Sequence, residues 1–219
     1  KNQTLEERLV QEITEACIKT PGRLIIPAFS IGRTQSLVFA LNQIFTKKLL
    51  PPVQIFVDSP MAIQATDVYR KHHNLVNQEA KDFYKTMGDE FEFEHLAYVQ
   101  TMKESKDVSN YFDPCIIISS AGMLEGGMIR QHVLDHIENP NCTFLISGYC
   151  APSTLGAKLL QGDKQVWVKG KCATCMPRLT LPMCLVPIQI RKDSWIFTEL
   201  RKRQVGCKRS FWFMVEKTG

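Results

Sequence analysis

Four short polar segments hold most of the residues in this 219-residue chain that could do chemistry. They are Ser30-Ile31-Gly32-Arg33-Thr34-Gln35, Asp58-Ser59-Pro60, Ser119-Ser120-Ala121-Gly122-Met123 and Ser147-Gly148-Tyr149, and each follows directly on an apolar run. Glycine lets a backbone approach a ligand closely, which Gly32, Gly122, Gly126, Gly127 and Gly156 could supply. Ser30, Thr34 and Thr154 offer hydroxyls, and Arg33 a planar guanidinium fork suited to phosphate. Gln35, Asp58, Ser59, Ser119, Ser120, Met123, Ser147, Gly148 and Tyr149 complete the candidate set. The chemistry that these types suggest is the gripping of a phosphorylated ligand. Phosphate-binding loops of the G-x-x-x-x-G-K type, dinucleotide fingerprints and G-x-S-x-G elbows are absent, and no nucleophile and base are paired, so no catalytic residue is assigned.

Other constellations carry less. His132 and His136 stand one helical turn apart, the spacing of a metal pair, but no glutamate completes a zinc-hydrolase motif, and both are expected on a helix surface. His72-His73 reads as a helix end and His95 is isolated. Cys172-Ala173-Thr174-Cys175 resembles half of a zinc site, yet Cys184 and Cys207 make no second close pair. No metal ligand set is therefore expected. Cys17, Cys115, Cys142 and Cys150 sit singly in apolar surroundings and read as packed thiols of a reducing compartment.

The segments between the loops alternate between helix and strand. Thr4, with Glu7 three residues on, caps an amphipathic helix marked by Leu5, Leu9, Ile13 and Cys17, which Pro21-Gly22 ends. Strands are expected over residues 23–29, 53–57, 115–118, 142–146 and 165–168, with an edge strand near 91–93. Helices are expected over residues 34–45, 61–72, 76–87, 101–111, 126–137 and 153–160. Wholly apolar strands alternating with helices predict an α/β fold: a mainly parallel sheet in the middle of three layers, with helices on both faces. In such a sheet the ligand site lies beyond the carboxyl ends of the strands, where helix N-termini present N–H groups to anions. The four segments would share that rim.

Charge divides the chain. Residues 1–171 carry 18 Lys and Arg against 19 Asp and Glu, residues 172–219 carry 9 against 3, and the net charge of +5 thus arises from the tail. The tail also holds four of the eight cysteines and lacks any sustained period. Two units follow, residues 1–171 and an aberrant 172–219, with the last strand, at 165–168, belonging either to the first unit or to the fold that continues after it. No apolar run approaches the roughly 20 residues that span a bilayer, and no signal segment opens the sequence, so a cytoplasmic protein is expected.

IPAFSIGRTQ, VDSPMA, IISSAGMLEGG and ISGYCAPSTLG resemble, in order and spacing, the β-CASP domain of the metallo-β-lactamase-fold ribonucleases. The resemblance covers about residues 4–171, and departs at Cys150, where relatives often carry a polar residue. It implies a domain inserted into a zinc-binding metallo-hydrolase domain, with RNA as partner and cleavage in the cleft between the two by metal-activated water. It implies zinc ligands in an H-x-H-x-D-H motif, absent here, and a return to the hydrolase fold through F-S-A-H-x-D and L-V-H-G. Neither returning motif is present as written. Read from the third base of each codon, however, residues 211–215 (Phe-Trp-Phe-Met-Val) give Leu, Val, His or Tyr, and Gly, and residues 184–197 become compatible with FSAHSDQEGFLDF. Residues from about 172 onward are therefore expected to be out of frame, and the chain to be the inactive RNA-clamping portion. The rival expectation is a free-standing phosphate- or nucleotide-binding module.

Overall fold

The computed structural model describes residues 4–180. Helix α1 (Leu5–Ile13) opens on the capping box of Thr4 and Glu7 and runs on as a π-helical stretch to Lys19. Then come β1 (Arg23–Pro27), α2 (Arg33–Thr46), β2 (Gln54–Asp58), α3 (Pro60–Lys71), α4 (Gln78–Met87), β3 (Leu96–Val99) and α5 (Met102–Ser109). Strand β4 (Cys115–Ser119), α6 (Ile129–His136), β5 (Cys142–Leu145), α7 (Leu155–Leu160), β6 (Gln165–Val168), β7 (Lys171–Thr174) and β8 (Arg178–Thr180) complete it.

Six strands form one sheet in the order β3-β2-β4-β1-β5-β8, and every neighbouring pair is parallel. The pleat sends alternate side chains to opposite faces, and two separate cores result. Leu24, Ile26, Ile55, Val57, Ile116, Ile118 and Leu145 pack with α1, α2, α3 and α4. Ile25, Cys115, Ile117, Phe144 and Ile146 pack with α5, α6 and α7. The expected three-layer α/β architecture is present, and burial on both faces is why β4 reads as an unbroken Cys-Ile-Ile-Ile run. Among the described residues no helix is long and apolar enough to cross a membrane.

Three expectations need correction. Residues 91–93 are not an edge strand but lead out of a turn over residues 89–92. The Asp89 carboxylate accepts from Phe91 N at 2.8 Å, an Asx turn that drops Phe91 into the core against Tyr69, and the edge strand is β3 instead. The strand at 165–168 does not join the sheet. It pairs with β7 in an antiparallel hairpin whose turn, Lys169-Gly170, has positive φ at both residues (48° and 79°), the geometry that matches strand twist. Nor is the start of the basic tail patternless. Residues 172–174 continue β7, and β8 adds a sixth strand, with Arg178 reaching Glu12 of α1 at 3.1 Å. The motifs recovered by displaced reading, at 184–197 and 211–215, lie outside the described residues.

Ile117 is fully buried at the centre of β4. Ile117→Ala should cost about 2–5 kcal/mol, measured as a fall in the urea midpoint at unchanged slope; a loss below about 1 kcal/mol would mean that this face of the sheet is not close-packed.

Candidate functional site

Because the whole sheet is parallel, its carboxyl ends form one rim. Helix α2 leaves β1 on one face and α6 leaves the adjacent β4 on the other, so the crevice between those strand ends is a topological switch point. All four predicted segments meet there. Ala28 N donates to Ser119 O at 2.9 Å, the hydroxyls of Ser30 and Ser59 lie 3.0 Å apart, Ser119 Oγ donates to Asp58 O at 2.9 Å, and Ser147 Oγ donates to Pro27 O. Gly148 lies against Arg33, for a Cβ built there would stand 3.6 Å from Nη2 of the guanidinium. Gly156 N donates to Met123 O at 3.2 Å and so ties the last segment to the third.

The structure divides the candidates by burial. Gln35 is fully buried; its Oε1 accepts from Gly32 N at 2.7 Å and its Nε2 donates to Thr66 Oγ1 at 3.0 Å and to Ser30 O at 3.2 Å, which fastens the first loop to α3. Thr34, Asp58, Ser59, Ser119, Ser147 and Thr154 are buried too, with hydrogen bonds to protein groups. These side chains are spent on protein groups and shape the loops. Gly32, Arg33, Ser120, Met123, Gly126, Gly127, Gly148 and Tyr149 reach the surface, Tyr149 with 65% of its area exposed. Gly127 takes φ 65°, and a Cβ there would fall 2.4 Å from Ser120 O, so this turn admits only glycine.

The expected role of the helix N-termini is also corrected. Thr34 N donates to Phe29 O at 3.2 Å, Ala62 N to Ser59 Oγ at 3.2 Å, and Ile129 N to Ser120 O at 2.8 Å. Leu155 N donates to a carboxylate oxygen of Glu125. Protein acceptors thus occupy N–H groups at each rim helix, and Glu125 places a negative charge where an anion was expected. Arg33 brings a cation to the rim, and the exposed Tyr149 is the residue directly after its Gly148 neighbour.

The two histidines are not on the surface. Ile129, His132, Val133, His136 and Ile137 share one helical stripe, and that stripe packs against the sheet, leaving His132 fully buried and His136 only 5% exposed. Their spacing with apolar neighbours was the signal for this. His132 Nε2 lies 2.6 Å from Asp58 Oδ2, which also accepts from Ser105 Oγ at 2.6 Å, and His132 Nδ1 lies 3.3 Å from Ser109 Oγ. The His132 and His136 rings stack with 6.5 Å between centroids. Arg23 Nη1 donates to His136 Nε2 at 3.0 Å and to Ser109 O at 2.7 Å. A polar chain therefore runs beneath the sheet from Asp58 at the rim to Arg23 at the far edge. Ser105, His132 and Glu125 were missed by sequence reasoning.

These ligand-type groups do not fit a zinc ion. Both His132 nitrogens face protein groups, and a cation at His136 Nε2 would stand beside a guanidinium. Among the described residues no group of three or more His, Cys, Asp or Glu could hold a metal. Burial raises the thiols of Cys17 to about 12 and of Cys115 and Cys142 to about 11, which leaves them protonated and unreactive.

Two predictions test this network. Asp58→Ala strands a buried imidazole and should cost about 3–5 kcal/mol in denaturant unfolding at pH 7, while a cost below about 1 kcal/mol would show that the pair is not holding the rim. Burial, then Arg23, then His132 lower the His136 pKa from 6.5 to about 4. A depressed folded pKa means stability that is full above pH 6.5 and lost as pH falls toward 4. Between pH 7.5 and 5 wild type should lose about 2 kcal/mol through this group, and His136→Gln should flatten that slope; an unchanged slope would contradict the assignment.

Comparison with known proteins agrees with this geometry. The family described as the Beta-Casp domain matches residues 34–159, more than half of the chain. The RNase J-like protein of Methanocaldococcus jannaschii is 32% identical over 163 residues, 74% of this chain and 36% of that protein. The transcription termination factor FttA of Methanosarcina mazei is 27% identical over 166 residues, 75% of this chain and 26% of its own length. The cleavage and polyadenylation specificity factor 73 of Drosophila melanogaster is 26% identical over 159 residues, 72% of this chain and 22% of its own length. The chain thus spans between about a fifth and a little over a third of these curated relatives. By the match, the sheet order and the four rim segments, it belongs to the β-CASP family of metallo-β-lactamase-fold ribonucleases.

Proposed function

We propose that this chain is the RNA-gripping part of a zinc-dependent ribonuclease, and that its carboxyl rim forms one wall of the cleft in which an RNA phosphodiester is hydrolysed. The observation that carries this reading is Arg33 against Gly148 at the switch point, with the exposed Tyr149 next in sequence, in a chain of the β-CASP family. An exposed ring can stack any base, and a guanidinium on the same rim can take a phosphate, which together grip a single strand without reading its sequence. Two relatives carry RNase J-like and cleavage-factor names, which supports RNA as the ligand.

The described residues supply grip and position. Zinc, where the metallo-hydrolase domain holds it, supplies activated water at neutral pH, and no step of bond cleavage is assigned to this rim. We infer that residues beyond about 172 are out of frame and do not return the hydrolase-domain histidines, an inference supported by the two motifs recovered in register. The chain alone should therefore bind no stoichiometric zinc and cleave no RNA. Elemental analysis showing one or two tightly held zinc ions per chain, or metal-dependent cleavage that copurifies with it, would sink the fragment reading.

RNA affinity should rise with oligonucleotide length, whereas full competition by a mononucleotide would favour a nucleotide-binding module. Arg33→Ala should weaken single-stranded RNA binding roughly ten- to a hundredfold, independent of sequence, as a charged hydrogen bond is worth about 1.5–3 kcal/mol. It should also flatten the slope of log affinity against log salt by about 0.7. Unchanged affinity and slope in a folded Arg33→Ala variant would show that the groove lies elsewhere.

A further inference from the structure

At the opposite edge of the sheet, where the strands begin, lies a cavity of about 540 Å³ that gripping RNA at the rim does not use. This falls within the roughly 300–1,000 Å³ typical of small-molecule sites. Its buried lining includes His136 and Cys142, beside the half-buried Arg23, while Asn110, Asn141 and Phe112 line it from the surface.

Charge narrows the ligand class. Helices α5 and α6 both end here, so two sets of C-terminal carbonyls give the cavity a negative bias. Arg23 is spent at the end of α5: Nη1 donates to Val108 O and Ser109 O, and Nη2 to Tyr111 O just beyond it. The Asp113 carboxylate also lines the cavity, so an anion is disfavoured. A cation would lie beside Arg23. Burial together with Arg23 keeps His136 neutral. A neutral ligand with both donors and acceptors remains.

Shape narrows it further. Phe112 is 100% exposed, a large apolar ring held in water next to a polar cavity. Base–aromatic stacking uses such a ring, and asparagine amides pair with a base edge that offers a donor beside an acceptor. We propose that this cavity binds an unpaired purine base, stacked on Phe112 and hydrogen-bonded by the surrounding asparagines. The base comes either from a free nucleoside or from a single-stranded RNA that reaches around the sheet.

The test is titration of the 219-residue chain with adenosine, which has no phosphate, followed by amide NMR shifts. Saturable shifts are expected at Asn110–Asp113 and Asn139–Cys142. Phe112→Ala, which removes a wholly exposed ring and so leaves packing intact, should weaken adenosine about five- to a hundredfold, with an unchanged melting temperature. Arg33→Ala should leave adenosine binding untouched, which separates this site from the rim. Displacement of adenosine by oligoadenylate would assign the base to an RNA strand, and its failure to displace would assign a free nucleoside; either keeps the site. No shifts there up to about 10 mM adenosine, far above the ~1 mM dissociation constant that a binding energy of about 4 kcal/mol gives, would overturn the proposal, as would shifts that survive Phe112→Ala.

Discussion

Asp58 ends β2 and His132 sits mid-way along α6, yet their side chains meet at 2.6 Å with both residues almost completely buried. A buried carboxylate is costly unless it is paired and hydrogen-bonded. Here Ser105 supplies a second donor to the same oxygen, and the backbone carbonyl of Asp58 accepts from Ser119. One pair therefore joins β2, β4, α5 and α6 directly beneath the crevice. Helix α6 is short, and this polar tie fixes its register where apolar packing alone would tolerate sliding. The Gly126–Gly127 turn that leads into it is held in the same way, by Ile129 N on Ser120 O.

That fixed frame explains how the rim can be both polar and rigid. Most of its serines and threonines satisfy loop backbone, which is why the loops stay tight without being available to a ligand. The groups of the rim that reach the surface are few: Arg33, the glycine backbones and the Tyr149 ring. A grip of this kind is generic, because stacking and a phosphate contact read no sequence. It fits the proposed role, in which a strand is held in position while chemistry is supplied from across a cleft.

The layers and most elements were legible in the sequence because apolar runs bounded by Gly, Pro and capping residues carry their own period. Thr4 with Glu7 and Thr101 with Glu104 each form a capping box, as their spacing foretells. Residues 91–93 misled because alternating Phe and Glu imitates a half-buried strand, whereas Asp89 closes a turn that depends on local side-chain bonding. His132 misled because a titratable residue was weighed by its chemistry and not by its stripe with Ile129, Val133 and Ile137. The capture of helix N-termini by Phe29 O, Ser120 O and Glu125 arises from contacts between distant segments, which no local pattern records.

The proposed path of a single RNA strand along the carboxyl rim at the switch point is open to direct mapping. The most direct measurement is a map of backbone amide shifts in the chain on titration with a short unstructured RNA of mixed sequence. The largest shifts should fall at Gly32–Arg33, Ser120–Gly127 and Gly148–Tyr149, with the same residues moving for unrelated sequences. Saturating RNA that leaves those amides unmoved while shifting others would contradict it.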